Sequence, residues 1–482
     1  MCHRWMSLAL LIFAFPVCSF SAFDPQKIIV DSDFDGASAV VIADFNNDGF
    51  NDIAGAAYYE GPDAIGTFSW WQNYHDFGEG LWGEQTDIAQ IFGAYTLRAA
   101  DIDMDGDVDL LGTSMPGDSA WWFENEFIPS GEVHFVPRSI LELGAGVNPF
   151  DEPTSIDAGD FDQDGTQDVV IAFMHSTNPQ NPHLLILPNE DGTGEFIGAN
   201  WQFNPNVIAL STPIGSGFNG LSWVRAVDFN QDGLTDIVVG SAWNWITGIN
   251  FAWYRNEGKK NFTFIPIGGG DPEDAGLWGS FSADIADMNN DGRLDLITHQ
   301  GDVSHVKQLV LFRSESEDQT EWSKVILDDD ASGSTGETSI LAADLDQDGL
   351  LDIVSSAHLL DSRVTVWRNE CGSFRRYEVE DFHGHGIAVG DLNNDQKPEI
   401  VSGSWNYYDG EVVYWSNFNF DDACLGDLNA DGIVGSADLA ELLSLWGSAC
   451  SPTGCCRGDL NSDQVVNGVD LGVLLQAWGA CL

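Results

Sequence analysis

Positive charge is what this chain most lacks. Its 482 residues carry 18 Lys and Arg against 76 Asp and Glu, a formal net charge of -58. A surface of that sign is repelled by nucleic-acid phosphates and by anionic lipid headgroups, so neither is expected as a partner. Long apolar runs are also missing beyond the first twenty residues, so no later segment is expected to span a membrane. Cysteine is nearly absent from the body, where Cys371 alone lies between Cys18 and Cys424. The sequence has no nucleophile elbow, no zinc triad and no phosphate-cradling glycine loop, and no catalytic residue is assigned. Proline is modest at 17 while glycine reaches 52, a balance that suits many short strands and turns better than long helices. Acidity of this order can mark disorder, but 18 Trp and 29 Phe supply the apolar surface of a folded body.

The two ends of the chain differ from the middle. His3 and Arg4 precede the apolar run Met6 to Phe15, and the small residues of "PVCSFSA" follow it. This reads as a secretory signal peptide over residues 1–22, too short to be a membrane anchor, and it places the mature protein outside the cell or on its surface. Cys424, Cys450, Cys455, Cys456 and Cys481 crowd into the last sixty residues. In a secreted chain that clustering suggests disulfides around a small C-terminal unit.

The middle is repetitive. "DFNNDGFND" (44–52) returns as "DIDMDGDVD" (101–109), "DFDQDGTQD" (160–168) and "DFNQDGLTD" (228–236), then as "DMNNDGRLD" (287–295), "DLDQDGLLD" (344–352) and a looser "DLNNDQKPE" (391–399). The starts are 47 to 68 residues apart, within the period of propeller blades. Each copy sits between short apolar strands such as "AVVIAD" and "DIAGAAYY". A third, aromatic strand follows ("FSWWQN", "FAWYRN", "VTVWRN"), and most units show a fourth. Four short strands per repeat predicts a mainly β, seven-bladed propeller. The seventh unit ends after its third strand, while "QKIIVDSD" (26–33) stands before the first loop as an unpaired fourth. That N-terminal strand is expected to complete blade seven and close the ring, leaving no open edge.

Oxygen-bearing side chains at alternate positions, a turn glycine and a closing carboxylate can wrap a hard cation. Ca²⁺, with six to eight oxygens at flexible geometry, suits this spacing better than Mg²⁺. The loops contain no His or Cys, which argues against zinc and copper. At this point the chain resembles the FG-GAP (VCBS) repeat family, bacterial relatives of the integrin α-chain propeller, over roughly residues 24–420. The resemblance implies calcium in the loop between the first and second strand of each blade. Its ligands would be Asp44, Asn46, Asp48, the Phe50 carbonyl and Asp52 in the first loop. The second and third loops would use Asp101, Asp103, Asp105, Asp107 (carbonyl) and Asp109, then Asp160, Asp162, Asp164, Thr166 (carbonyl) and Asp168. The fourth and fifth would use Asp228, Asn230, Asp232, Leu234 (carbonyl) and Asp236, then Asp287, Asn289, Asp291, Arg293 (carbonyl) and Asp295. In the sixth they would be Asp344, Asp346, Asp348, Leu350 (carbonyl) and Asp352. The seventh, with Asp391, Asn393, Asp395, Lys397 (carbonyl) and Glu399, departs from the pattern, because Gln396 replaces the glycine and Glu399 the closing Asp.

Residues 421–482 carry a tandem repeat of another kind, with Asp427 and Asp459 32 residues apart. Each unit is a twelve-residue loop running into a helix whose apolar face would hold Leu439, Leu442, Leu445 and Trp446, or Leu471, Leu474, Leu475 and Trp478. This resembles a type I dockerin, an EF-hand-like module that binds calcium and docks on a cohesin. The implied ligands are Asp427, Asn429, Asp431, the Ile433 carbonyl and Asp438, then Asp459, Asn461, Asp463, the Val465 carbonyl, Asn467 and Asp470. With the propeller loops this makes up to about nine calcium ions. Gly435 lacks the side-chain oxygen of Asn467, and Gln464 replaces a turn glycine. The helix-start pairs Ser436-Ala437 and Gly468-Val469 differ from the hydroxyl pairs of cellulosomal dockerins. The implied partner is therefore a cohesin-like module or a cell-surface protein. Cys424–Cys450 and Cys456–Cys481 are expected as disulfides bracketing each unit, with Cys371 and Cys455 unassigned. The "RGD" at Arg457 to Asp459 reads as coincidence, because Asp459 opens a calcium loop.

The propeller face opposite the acidic loops collects Tyr58, Tyr59, His175, Trp243, Trp245, His299, His305, His358, His383, His385, Trp405, Tyr407 and Tyr408. Aromatic faces stack on sugars, so a glycan is an expected ligand, while rim packing is the plainer role of each residue. The favoured function is a secreted calcium-binding propeller for carbohydrate, protein or adhesion. The alternative is an extracellular polysaccharide-degrading enzyme, a lyase or a glycosidase.

Overall fold

The structure, a computed structural model, describes residues 25–60, 65–74, 82–115, 117–142, 150–176, 183–189, 192–194, 207–212, 220–241, 250–268, 282–300, 308–329, 338–357, 363–370, 372–405, 410–416, 426–428, 433–447, 458–460 and 465–480. The signal segment 1–22 and all the cysteines, hence both expected disulfides, lie outside them. The chain divides into two compact units, the larger holding residues 25–418 and the smaller the C-terminal helices.

The larger unit is seven antiparallel four-stranded sheets, each built from consecutive strands except the last. Blade one runs Ala37–Ala43, Asp52–Glu60, Ile65–Trp71 and Thr86–Gln90 from the inside outward. The innermost strands of blades two to six are Ala94–Ala100, Phe150–Gly159, Trp223–Val227, Ala283–Ala286 and Thr338–Ala343. Blade seven takes Gly384–Gly390, Glu399–Ser404 and Val412–Ser416, and its outermost strand is Gln26–Asp31 from the N-terminus. Gln26 pairs with Ser416 and Ile29 with Val413, so the expected strand closes the ring and the seventh sheet has no missing edge.

Large side chains hold the blades together. Trp71, Trp122, Trp253, Trp367 and Trp415, all on third strands, are fully buried between sheets. Truncating one to alanine would cost about 3–5 kcal/mol. The Trp71 indole N–H donates to Asp31 Oδ2 at 2.9 Å, and Trp367 and Trp415 reach Asp328 and Glu380 in the same way. The closing seam is thus built like its neighbours, with an indole bonded to the end of the preceding outer strand. Near the axis, space is short. A Cβ on Gly386 would meet Ala39 Cα at 2.6 Å, so only glycine lets the seventh inner strand lie against the first.

The smaller unit contains helices Ser436–Ser444 and Gly468–Gln476, and Ile433–Val434 pairs antiparallel with Gly479–Ala480. Leu442 and Leu474 are buried as their helical spacing requires, but Trp446, Trp478 and Leu475 are about half exposed. The expected apolar faces are therefore narrower than the sequence suggests. A nine-residue helix buries only the one or two positions that face its partner directly.

Candidate metal centres

All seven acidic loops join the first and second strands of their blades, and they share one internal geometry. In every loop the opening carboxylate accepts the backbone N–H of the sixth residue, and in five of them that of the fifth as well. Asp44 does so from Asp48 at 3.0 Å and Gly49 at 2.8 Å, and Asp160, Asp228, Asp287 and Asp344 repeat the pair. The fifth residue accepts from the seventh, as Asp48 does from Phe50 at 2.9 Å. These bonds curl the backbone so that successive oxygens point inward. Two residues per loop take positive φ: the sixth, Gly49 at 88° for example, and the fourth, such as Asn47 at 54°. In the seventh loop Gln396 adopts φ 71°, so the loop keeps its shape without the glycine.

The closing residue does more than the sequence implied. Asp52 is fully buried, and its two oxygens accept the N–H of Phe45 at 3.2 Å and of Asn73 at 2.8 Å. Asp109, Asp168, Asp236, Asp295 and Asp352 staple loop to third strand in the same way. Glu399, one methylene longer, binds Leu392 N–H at 2.7 Å and turns its other oxygen to the Asn393 amide. Burial dominates their ionisation and outweighs these hydrogen bonds. Asp52, Asp109, Asp168, Asp236, Asp295 and Glu399 rise to about 7 and Asp352 to about 8, with neighbouring loop carboxylates adding to the push. Asp103 and Asp348 rise to about 6, again chiefly through burial.

Three loops gather carboxylates tightly. Oxygens of Asp101, Asp103 and Asp109 all lie within 4.8 Å of one another, as do those of Asp160, Asp162 and Asp168, and of Asp344, Asp346 and Asp348. Asp101 Oδ1 is buried and has no hydrogen-bond partner, which is the position of an atom built to meet a cation. Hard oxygen donors with one buried oxygen unsatisfied fit calcium. In the first, fourth and fifth loops, which have Asn at the third position, its side-chain N–H group bridges the gap instead. Asn46 reaches Asp48 at 3.0 Å, Asn230 reaches Asp232 at 2.9 Å and Asn289 reaches Asp291 at 2.9 Å.

Several charged side chains already sit on these carboxylates. Lys260 Nζ lies 3.0 Å from Asp162, Arg368 Nε 2.7 Å from Asp346, and Arg293 pairs with Asp291. Their positions vary from blade to blade, so no repeat in the sequence announces them.

Two sets of linking residues also escaped the sequence reading. The side-chain amide at the fourth loop position reaches the next loop. Asn47 donates to Asp107 at 2.8 Å, Gln231 to the Gly292 carbonyl at 2.7 Å, Asn290 to Gly349 at 3.2 Å, and Gln347 to Gln396. A second latch is the Asn ending the third strand. Asn73, Asn125, Asn189, Asn256 and Asn369 donate to the second-residue carbonyl of the preceding loop, for instance Asn125 to Phe45 at 2.8 Å. Blade five lacks that Asn and uses Gln319, which reaches Phe229 at 3.2 Å. The signal was present: the fourth loop position is Asn or Gln in every copy but the second, where it is Met104.

In the smaller unit Asn429, Asp431, Asn461 and Asp463 lie outside the described residues, so the two implied ligand sets are described only in part. Asp438 and Asp470 are fully buried and accept the N–H of Gly435 and Asn467, both at 2.7 Å, which caps the helices. Asp427 is buried, whereas Ile433 and Val465 have exposed side chains.

On the opposite face of the propeller, four aromatic rings converge. His385 stacks on Trp405 at 4.6 Å between centroids, Trp405 meets Tyr58 at 5.4 Å, and Tyr95 lies 6.1 Å from His385. His299 is instead buried beside Trp367, and burial lowers its pKa to about 4. His383 is exposed. Trp243, Trp245, His305, His358, Tyr407 and Tyr408, with the side chains of Tyr59 and His175, lie outside the described residues.

A family model described as FG-GAP-like repeat matches residues 101–171, 160–239, 228–298 and 344–402, together more than half of the chain. A search of curated proteins returns no match. Among solved structures, the chain is similar to an Agrocybe aegerita lectin described by its specific recognition of non-reducing terminal N-acetylglucosamine. The identity is 16% and the TM-score 0.45, over 82% of this chain and 86% of that one. It is also similar to the AfRom2 CNH domain, at 10% identity and a TM-score of 0.44, over 82% of this chain and 100% of that one.

Proposed function

The chain belongs to the family of FG-GAP-like repeat proteins, and from that premise we propose that it is a secreted, calcium-loaded propeller that binds carbohydrate or protein. The observation that carries the calcium is the Asp101–Asp103–Asp109 cluster with its unsatisfied buried oxygen. When bound, calcium supplies positive charge and a cross-link between loop positions. The chain itself supplies the curled backbone, the inward oxygens and the buried closing carboxylate. The ligand face is the one opposite the metal loops, a reading supported by the Tyr58, Tyr95, His385 and Trp405 cluster.

In this reading residues 1–22 direct secretion, 23–420 form the propeller and 421–482 a dockerin-like tether. Support for the tether comes from its two loop–helix units, each capped by a buried Asp. The tether would hold the propeller to a cohesin-like module or a cell-surface protein. Calcium titration into the chelator-stripped full chain tests the proposal, with thermal stability and bound metal per chain followed together. Seven to nine ions (one per acidic loop) and a large rise in melting temperature are expected. Few ions, or unchanged stability, would overturn it.

A further inference from the structure

At the start of the inner strands, on the face opposite the metal loops, the seven blades enclose a cavity of about 100 Å³. That volume holds several waters or one small ligand. Every blade contributes to the lining, and the contribution is mostly hydroxyl: Thr96, Ser155, Ser222, Ser282 and Ser339, with His385 from blade seven. Tyr95 and His385 also belong to the aromatic cluster, so one wall of the cavity continues into stacked rings.

Arg98 is the one Lys, Arg, Asp or Glu side chain among the lining residues. Its environment is unusual for a guanidinium. Among the described residues its recorded hydrogen bond is a long one, 3.4 Å, from Nη1 to the Leu97 carbonyl, and its buried Nε has no partner. Asp157 stands on the next inner strand and Asp284 on that of blade five, and both attract its charge, but neither forms an ion pair with it. Their carboxylates accept the N–H of Ala226 at 3.0 Å and of Ala342 at 2.7 Å, capping the exposed inner edges of the following blades. A fork of five donors is thus left facing a polar cavity with little to bind, and such a fork matches a carboxylate.

We propose that this axial cavity is a binding site for a single sugar acid, its carboxylate on Arg98 and its hydroxyls on the ring of Ser, Thr and His side chains. The cavity size selects a free monosaccharide or the end of a chain. The inference rests on the reading of the propeller as a glycan-binding module and deepens it by naming the ligand class and the residues that read it.

The test is calorimetric titration of the calcium-loaded full chain with glucuronate, glucose and cyclohexanecarboxylate. Glucuronate is expected to bind about tenfold more tightly than either. Arg98→Gln should remove that advantage, and Ser339→Ala should weaken glucuronate about threefold. Equal binding of glucose would overturn the role of Arg98, and equal binding of cyclohexanecarboxylate would overturn the hydroxyl ring. Because the selectivity is read on the parent protein, it does not depend on the folding of any variant. If glucuronate does not bind while polysaccharides are still retained, the cavity assignment falls and the glycan-binding reading stands. If nothing saccharide binds, both fall.

Discussion

The side-chain amide of Asn394, in the last acidic loop, donates to the main-chain carbonyl of Gly49 in the first, at 2.8 Å. It joins residues 345 positions apart and carries across the seam an open circuit of loop-to-loop links, made by Gln231, Asn290 and Gln347 from the fourth loop to the seventh and by Asn47 from the first to the second, and broken at Met104. The acidic loops are therefore not seven separate turns. A cation that fixes the sixth residue of one loop also fixes the acceptor of the amide behind it, so ordering one loop favours order in the next.

Asn394→Gly tests that circuit at its seam. The backbone there has φ 58°, a region that asparagine, unlike glutamine, adopts readily, so glycine removes the amide and relieves little strain. Loss of the hydrogen bond should lower stability by about 1 kcal/mol, seen as a lower midpoint in denaturant unfolding of the calcium-loaded protein. A variant as stable as the parent would show that the circuit carries no weight.

Arg368→Gln should separate the two roles of the sixth loop. The guanidinium lies 2.7 Å from Asp346 and 3.9 Å from Asp348, where it relieves the repulsion of the Asp344–Asp346–Asp348 cluster. Without it the metal-free protein should be less stable, and the loop should bind calcium more tightly, by about tenfold for one charged hydrogen bond removed from competition. Calcium titration with thermal unfolding reads both. An unchanged calcium isotherm would mean that Arg368 does not compete for the site.

Gln396→Gly should stabilise the chain. The side chain is held at φ 71°, a region that costs a non-glycine residue about 1–2 kcal/mol. Part of that gain is lost to the greater freedom of glycine in the unfolded chain, so a net rise of about 0.5–1 kcal/mol is expected. Thermal unfolding measures it, and a lower midpoint would place the strain elsewhere.

What could be read from the sequence was what repeats in register. Asp44 to Asp52 announced a loop because six relatives follow it, and Gln26–Asp31 could be matched to the fourth strands of other units. Asn47 and its equivalents stayed silent for a physical reason. Their work is done between blades, and a pattern within one repeat does not say which neighbour it touches. Arg98 was harder still, since the same position three residues before the loop holds Asp157, Arg225 and Asp284 in the next blades. The charges alternate over blades two to five and give way to Leu341, Ala388 and Val41 in the others, and only the folded ring brings Arg98 under the influence of Asp157 and Asp284.

The closing carboxylates make a prediction that joins fold and metal. Asp52, with a normal value of 3.8, stays protonated up to about 7 in the folded metal-free protein, and Asp109, Asp168, Asp236, Asp295 and Glu399 behave alike. In the unfolded chain they ionise near pH 4, so between about 4 and 7 the folded state holds more protons than the unfolded one. The stability of the metal-free protein must then fall as pH rises through that window and level off above it, the opposite of an ordinary salt-bridged Asp. Calcium favours the ionised form and should cancel the slope. Adding calcium at pH 6 should therefore release protons into a weakly buffered solution, and adding it at pH 9 should release almost none. Equal proton release at the two pH values, or a stability that rises with pH in the chelated protein, would show that these carboxylates are already ionised before the metal arrives.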